Sequence, residues 1–316
     1  MDGPVHVVVL DPIHGQALDQ LRREHKVSVR TLLEQRDVPA AVADAEVAVV
    51  RSGVRITADA VLAAPSLRVI VRAGSGTDNI DLDACRAAGV AVYTIPGISA
   101  GAVAELALGL MLAVRRRIAL GDRQVRTGLW NKSALAGPEL DGARLGLVGL
   151  GAIGSRIAVL GQAFGMTVAA SVLHPGPERA ADCAARGIDL RDLGGLLAES
   201  DVLCLAVPLT PDTRGLIGAA EFDRMKPGAY LVNVARGGVV DESALYTALT
   251  TGHLAGAGLD VHAVEGGVHA LADLDNVVLT PHIGATTDTA QQRVGQALIE
   301  RLGLILSGAA VPDRVL

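Results

Sequence analysis

At 316 residues the chain exceeds the size at which one hydrophobic core usually stops growing, so two domains are predicted. A formal net charge of -6 without a long basic block disfavours nucleic acid as a partner, and no apolar run is long enough for a membrane-spanning helix. Three cysteines without metal-ligand spacing, and a first segment that lacks an export signal, predict a protein of the cytoplasm that holds no metal.

The N-terminal part of the chain predicts a parallel sheet interleaved with helices. Residues 16–26 have amphipathic helical spacing, and a long, mostly buried helix is predicted from Ser99 to about Leu120. The strands are predicted from continuous apolar runs that end in Gly, Ser or Pro, which are typical of strands covered on both faces: 5–10, 45–52, 67–74 and 90–97.

A second series of strands and helices begins at residue 143 and predicts another parallel sheet. A final helix, from about Thr286 to Ser307, would pack back on the first domain and make that domain discontinuous. The predicted fold class is α/β, with two doubly wound parallel-sheet domains. One would comprise residues 1–98 and 285–316, and the other residues 99–284.

A glycine-rich turn lies between a strand and a helix of the second series. Gly149, Gly151 and Gly154 form a GxGxxG pattern. The first glycine allows a tight turn, the second lets the backbone approach a pyrophosphate, and the third allows close helix packing. This context predicts a dinucleotide cofactor, and a turn without a ligand is the alternative.

The pattern also requires an acidic residue about 20 residues further on, which would bind the ribose 2′-hydroxyl. Val172 stands at that position. The missing carboxylate removes repulsion against a 2′-phosphate, which Ser171, His174 or Arg179 would contact. NADP, and NAD bound without that contact, are both kept as hypotheses.

Three ionisable side chains follow apolar strands of the second series: Arg236, Glu265 and His282. Because the ends of successive strands in such sheets gather at one crevice, these side chains are expected to converge there. Reduction of a 2-keto acid needs a cation for the carboxylate, a proton donor for the developing alkoxide, and a group that tunes the donor. The three residues predict that chemistry.

The sequence resembles the D-isomer-specific 2-hydroxyacid dehydrogenase family over nearly its whole length, and most of all the short members similar to phosphoglycerate dehydrogenase. This resemblance implies a Rossmann cofactor domain, a flavodoxin-like substrate domain, and hydride transfer between NAD(P) and the alpha carbon of a small D-2-hydroxy acid. The segments that carry it are VRAGSGTDNIDL, VAELALGLML, VGLGAIGSRIA, PLTPDTRGLI, MKPGAYLVNVARGGVVDESAL, GHLAGAGLDV and NVVLTPHIGA.

The resemblance also implies roles for single residues. Arg236 would bind the substrate's carboxylate and carbonyl oxygen, His282 would donate the proton, and Glu265 would favour the protonated ring of His282. The implied substrate-binding residues are Arg51 and the loop Ala73, Gly74, Ser75 and Gly76. The implied cofactor contacts are Ser75, the turn Gly149, Gly151, Ala152, Ile153 and Gly154, and His174, Val234, Ala235, Asp260, Ile283, Gly284 and Ala285.

Two hypotheses of function stay open, because corepressors of the C-terminal-binding-protein type share this architecture and keep the same three residues. The chain shows no evident peptide-docking tail, which favours a dehydrogenase over an NAD(P) sensor. Thr94 in place of a usual Asn, and a compact loop over 265–269, leave the acid open among 3-phosphoglycerate, hydroxypyruvate and glyoxylate. A homodimer built along the predicted long helix is expected from the resemblance and from the apolar surface of that helix.

Overall fold

The structure is a computed structural model that describes residues 3–267, 270–311 and 313–316. Its strands, in chain order, are β1 (His6–Val9), β2 (Lys26–Val29), β3 (Val47–Val50), β4 (Val69–Arg72), β5 (Ala91–Thr94), β6 (Arg144–Val148), β7 (Thr167–Ser171), β8 (Ile188–Leu190), β9 (Val202–Leu205), β10 (Tyr230–Asn233), β11 (Gly256–Leu259) and β12 (Val277–Leu279). Its α-helices are α1 (Gly15–Glu24), α2 (Val38–Val42), α3 (Ala58–Leu62), α4 (Leu82–Ala88), α5 (Ala100–Arg115), α6 (Ile118–Arg126), α7 (Ala152–Ala163), α8 (Pro177–Ala185), α9 (Leu193–Glu199), α10 (Ala219–Arg224), α11 (Glu242–Thr250) and α12 (Asp288–Leu306).

The chain divides into two compact units, each built on one parallel sheet. Unit 1 comprises Met1–Ser99 and Thr286–Leu316, and unit 2 comprises Ala100–Ala285. The strand order is β2-β1-β3-β4-β5 in unit 1 and β12-β11-β10-β9-β6-β7-β8 in unit 2. Both orders contain crossovers, as doubly wound sheets require, and the predicted α/β fold class is confirmed.

The core of unit 1 depends on a helix from the end of the chain. Thr287 caps α12, because its hydroxyl accepts a hydrogen bond from the backbone N–H of Ala290 at 3.1 Å. The helix then packs on α1, where a Cβ added at Gly295 would lie 2.9 Å from the Cβ of Ala17. Glycine at this position therefore allows the two helices to approach closely.

The long helix predicted to reach Leu120 is two helices in the structure. Helix α5 ends at Arg115, and Arg117 adopts a left-handed conformation with φ 52° before α6 begins. The guanidinium of Arg115 is buried, donates a hydrogen bond to the carbonyl of Glu139 at 2.8 Å, and lies 5.2 Å from the ring centroid of Tyr230. These contacts fix the end of α5 within unit 2, so the chain leaves in a new direction.

The apolar residues of α5 are mostly buried inside unit 2, where the helix packs against α7, β10, β11 and β12. The apolar surface on which the sequence-based dimer expectation depended is therefore largely used within the unit. Among the described helices, none combines the length and the apolar character that crossing a bilayer requires.

Candidate active site

The glycine-rich turn joins β6 directly to α7. Gly149 has φ +94°, and a Cβ there would lie 2.7 Å from the Val207 side chain and 2.8 Å from the carbonyl oxygen of Ala206. A Cβ at Gly154 would overlap the carbonyl oxygen of Gly149, so glycine lets α7 begin close against the turn. At Gly151, by contrast, the described protein leaves open space around the Cβ position. That open face at a helix N-terminus is where the pyrophosphate of a dinucleotide is favoured.

The end of β7 carries no carboxylate at the position expected to contact the ribose. Val172 is half-buried and packs against the apolar core of unit 2. His174 and Arg179 follow on the exposed surface. The local charge is therefore compatible with a phosphate group.

Three neighbouring strands of unit 2 are each followed by a residue with an ionisable side chain. Arg236 follows β10, Asp260 follows β11, and His282 follows β12. The three strands are adjacent and parallel, so their carboxyl ends lie along one edge of the sheet. The glycine turn follows β6 at the same edge.

The carboxylate of Asp260 holds the turn that carries His282. Asp260 is 2% exposed and accepts hydrogen bonds from the Thr280 hydroxyl at 2.7 Å and from the backbone N–H groups of Ile283 and Gly284, each at 2.8 Å. The backbone N–H of His282 donates to the Asp260 carbonyl at 2.8 Å. His282 adopts φ 55°, a left-handed conformation that costs a non-glycine residue roughly 1–2 kcal/mol. This set of hydrogen bonds offsets that cost.

The His282 ring and the Glu265 carboxylate, which were predicted to act together, are paired in the structure. Nδ1 of His282 lies 2.6 Å from Oε1 of Glu265. The hydrogen bond from His282 is the main cause that holds the pKa of Glu265 below its usual range; burial opposes it, and the charges of His282, Arg236 and His262 add to it. With Nδ1 engaged, Nε2 is the nitrogen that can exchange a proton with a substrate. The pair lines a pocket of about 360 Å³ together with His262, Gly266, Gly267, Leu279, Thr280 and Pro281.

The main chain of Arg236 is held by a buried amide that sequence analysis assigned no role. Asn233, 1% exposed, donates from Nδ2 to the Arg236 carbonyl at 3.0 Å and accepts at Oδ1 from the Ala235 N–H at 3.0 Å. Nη1 of Arg236 donates to the Ala235 carbonyl at 2.7 Å. A Cβ at Gly237 would overlap the backbone carbonyl of His262, so the segment after Arg236 runs directly against the loop that leads to Glu265.

Sequence reasoning also missed two other supports of the site. Thr280 binds Asp260 through its hydroxyl, and Glu242, in the first turn of α11, accepts a hydrogen bond from the Ala263 N–H at 2.6 Å. Neither residue type is distinctive in sequence, because a strand-end Thr and a helix-start Glu are common. Of the compact loop expected over 265–269, residues 268–269 lie outside the described chain.

The other predicted substrate-binding residues belong to unit 1. Arg51 follows β3 and is half-buried, while Ser75 is exposed on the loop after β4. The Ala73 N–H donates to the Val50 carbonyl at 2.8 Å, which ties this loop to the end of β3. Unit 1 thus holds Arg51 and residues 73–76 at the carboxyl ends of neighbouring strands.

Comparison with known proteins gives a consistent match. Residues 108–284 match the model of the "D-isomer specific 2-hydroxyacid dehydrogenase, NAD binding domain". The chain is 42% identical to a hydroxypyruvate reductase of Thermotoga maritima over 301 residues, which is 94% of this chain and 96% of that protein. It is 44% identical over 277 residues to a D-3-phosphoglycerate dehydrogenase of Mycobacterium tuberculosis, which covers 87% of this chain. The match spans only 52% of that dehydrogenase, so the chain corresponds to about half of it.

Solved structures are similar over nearly the whole chain. A Thermus thermophilus protein superposes with a TM-score of 0.89 at 38% identity, covering 98% of this chain and 100% of that chain. A D-lactate dehydrogenase of Aquifex aeolicus, in complex with NAD and lactic acid, has a TM-score of 0.81 at 30% identity over 96% of each chain. An acyclic imino acid reductase, in complex with NADPH and D-arginine, has a TM-score of 0.87 at 25% identity, covering 98% of this chain and 100% of that chain.

Proposed function

The chain belongs to the D-isomer-specific 2-hydroxyacid dehydrogenase family, and from this premise we propose that it transfers a hydride between NAD(P) and the alpha carbon of a small D-2-hydroxy or 2-keto acid. The observation that carries the proposal is the 2.6 Å contact between His282 and Glu265. This pair lies at the same sheet edge as Arg236 and the glycine turn. Proton transfer, carboxylate binding and cofactor binding are thus supported in one unit.

The side chains divide the work of keto-acid reduction. Arg236 binds the substrate's carboxylate and polarises its carbonyl, because a guanidinium donates two parallel hydrogen bonds to such groups. His282 gives a proton from Nε2 to the carbonyl oxygen, while the ionised Glu265 stabilises the ring through Nδ1. In the oxidation direction His282 takes the proton from the hydroxyl group.

The glycine turn fits a nicotinamide dinucleotide, which when bound supplies or accepts the hydride. Residues 149–154 and the N-terminus of α7 hold its pyrophosphate, and Asp260 with the 283–285 turn holds the nicotinamide end. Val172 removes the carboxylate that would repel a 2′-phosphate, and His174 and Arg179 are exposed close by in sequence. NADP is therefore accepted as well as NAD.

Unit 2 is the cofactor domain and unit 1 is the substrate domain in this proposal. Arg51 and the loop 73–76 of unit 1 bind the substrate's carboxylate through the Arg51 guanidinium and the backbone N–H groups of Ser75 and Gly76, because the N–H groups of Ala73 and Gly74 already donate to the carbonyls of Val50 and Arg72. The three cysteines are buried and form no disulfide, which supports a reducing compartment, the cytoplasm.

A homodimer is part of the proposal, with its contact centred on α6 and the segment after it. Large apolar side chains are exposed there: Ile118, Val125, Leu129 and Trp130. An apolar patch of this kind is typical of a subunit interface, and a second copy of the chain offers the same patch across a two-fold axis.

A turnover panel tests the proposal. The protein is mixed with NADH or NADPH and with hydroxypyruvate, glyoxylate, pyruvate or 3-phosphohydroxypyruvate, and the loss of absorbance of the reduced cofactor is followed. Turnover of at least one acid is expected. Cofactor binding without turnover of any acid would contradict the dehydrogenase and favour a nucleotide sensor.

A further inference from the structure

The main chain of Arg51 is hydrogen-bonded to a buried carboxylate at the end of the neighbouring strand β1. Asp11 follows β1 and is 6% exposed. Its Oδ2 accepts a hydrogen bond from the Arg51 N–H at 2.5 Å, and its Oδ1 accepts one from the Gly53 N–H at 3.1 Å. A Cβ at Gly53 would overlap the Asp11 carboxylate, so the loop after β3 lies closely against it. One side of the Arg51 peptide is thereby fixed.

The other side is held by an amide from the segment after β4. Asn79 is 9% exposed, and its Nδ2 donates to the carbonyls of Arg51 at 2.7 Å and of Val54 at 2.8 Å. The Asn79 carbonyl accepts a hydrogen bond from the Ile56 N–H at 2.8 Å. The N–H and C=O groups of Arg51 are therefore both bound by side chains, whereas the neighbouring residues of β3 are bound by the sheet.

The side chain of Arg51 is also constrained, although less tightly. Nη1 donates to the Pro12 carbonyl at 3.2 Å, next to Asp11 in the chain. Burial lowers the pKa of Arg51, and the negative charge of Asp11 opposes that effect. Asp11 thus accepts a hydrogen bond from the Arg51 backbone and also places a negative charge near the guanidinium.

The same device occurs at the other arginine of the proposed reaction. Asn233 in unit 2 donates from Nδ2 to the carbonyl of Arg236 at 3.0 Å, as Asn79 does to Arg51. Both asparagines are buried and both bind the backbone of the arginine itself. Each amide therefore binds the main chain from which a guanidinium extends.

We propose that Asp11 and Asn79 are positioning residues that fix the backbone of Arg51 so that its guanidinium presents to the carboxylate of a 2-keto acid. This inference rests on the proposed function, in which Arg51 binds that carboxylate. Loss of either support lets the arginine sample other orientations, so substrate affinity falls while proton transfer at His282 is untouched.

A double-mutant cycle tests the inference on the full chain. The variants are Arg51→Ala, Asp11→Asn, Asn79→Ala and each of the last two combined with Arg51→Ala. Arg51→Ala is expected to raise KM for the keto acid about ten- to a hundredfold, as loss of a charge-assisted hydrogen bond does. Asp11→Asn and Asn79→Ala are each expected to raise KM about three- to tenfold, with kcat and the Kd of the cofactor nearly unchanged.

The decisive result comes from the two double variants that also carry Arg51→Ala. If both residues act through Arg51, their effects on KM disappear once Arg51 is alanine. Equal effects in the presence and absence of Arg51 would overturn the inference and leave only a structural role. Asp81→Asn is the matched control, because Asp81 lies in the same segment but caps α4 by accepting from the Ala84 N–H at 2.9 Å. It should lower the melting temperature without changing KM.

The cycle also separates this inference from the function beneath it. A wild-type protein that reduces no acid of the panel would overturn the proposed function and the inference with it. An Arg51→Ala variant with unchanged KM would overturn the inference and the role given to Arg51, but not the dehydrogenase. A raised KM in Arg51→Ala, with unchanged KM in both Asp11→Asn and Asn79→Ala, would overturn the inference alone. Two chemically different variants are used because the isosteric Asp11→Asn preserves packing even if Asn79→Ala folds poorly.

Discussion

The ring and the main chain of His282 are each held by a different residue. Its ring is paired with Glu265, and its left-handed main chain is bound to Asp260. A substitution that tests the ring must therefore tolerate the backbone. Asparagine does so, since its short polar side chain adopts left-handed conformations more readily than most residues.

His282→Asn is expected to lower kcat by about 10²- to 10⁴-fold, because it removes the group that transfers the proton. The Kd of the cofactor should change little, since the ring forms no part of the glycine turn. Steady-state kinetics and a cofactor titration by fluorescence measure the two effects. Wild-type turnover in this variant would show that the proton comes from elsewhere.

The pH dependence of the reaction is expected to depend on Glu265. Its pKa is lowered, so the carboxylate stays ionised as the pH falls below the ordinary value of 4.5, and its support of the protonated His282 is lost only below that point. Glu265→Gln removes the charge at every pH. In the variant, kcat/KM for reduction should be lower than in the wild type at neutral pH and should lack the acid-side fall that protonation of this carboxylate causes in the wild type. A profile equal to that of the wild type would contradict the pairing.

At the scale of elements, continuous apolar runs identified most strands but missed two of the four edge strands. β2 and β8 were not predicted, and each lies at one end of its sheet. β2 is exposed or half-buried throughout, and β8 is buried only at Ile188. Because β2 and β8 are partly exposed to water, their sequences lack the apolar run that a covered strand needs. The edge strands β5 and β12 keep such a run and were predicted.

The break between α5 and α6 was also beyond sequence reasoning. No Pro or Gly interrupts the helical pattern at Arg116 and Arg117. The break depends on tertiary contacts of Arg115, whose partners Glu139 and Tyr230 are distant in sequence. The family and the fold class were predictable because several motifs agree over the whole chain, and both are confirmed.

The site was predictable in its chemistry but not in its supports. Arg236, Glu265 and His282 stand at strand ends in distinctive motifs, and their catalytic roles stay predictions. Asn233 and Thr280 bind the backbone or a buried carboxylate, and such partners become visible only when the chain is folded. Sequence spacing carries no information on which carbonyl a buried amide will reach.

The end of β7 yields a prediction on cofactor choice. Val172→Asp places a carboxylate where the ribose 2′-hydroxyl is expected, so it should repel a 2′-phosphate and lower the ratio of kcat/KM for NADP to that for NAD by at least about tenfold. Val172→Asn is the matched control, because it is polar and similar in shape but uncharged. An unchanged ratio in Val172→Asp would place the cofactor's ribose away from this strand end.

For the whole molecule, light scattering at micromolar concentration should give about twice the chain mass of 32.3 kDa. Trp130 is 75% exposed, and Trp130→Glu should shift the protein to a monomer without loss of melting temperature, because the change buries no charge within one chain. Leu62→Glu is the control, since Leu62 is 78% exposed on α3. A wild-type monomer, or a Trp130→Glu dimer, would contradict the proposed contact.

The two stretches that make up unit 1 impose an order on biosynthesis. The layer of side chains on one face of its sheet, including Val7 and Val49, is completed by Val294, Leu298 and Leu302 of α12. All of unit 2 is translated between these two groups. On the ribosome, unit 2 can therefore reach its native state before unit 1 does. One apolar face of the unit 1 sheet stays uncovered until α12 emerges. That interval is when a nascent chain of this architecture is most exposed to misassociation and has most to gain from a chaperone.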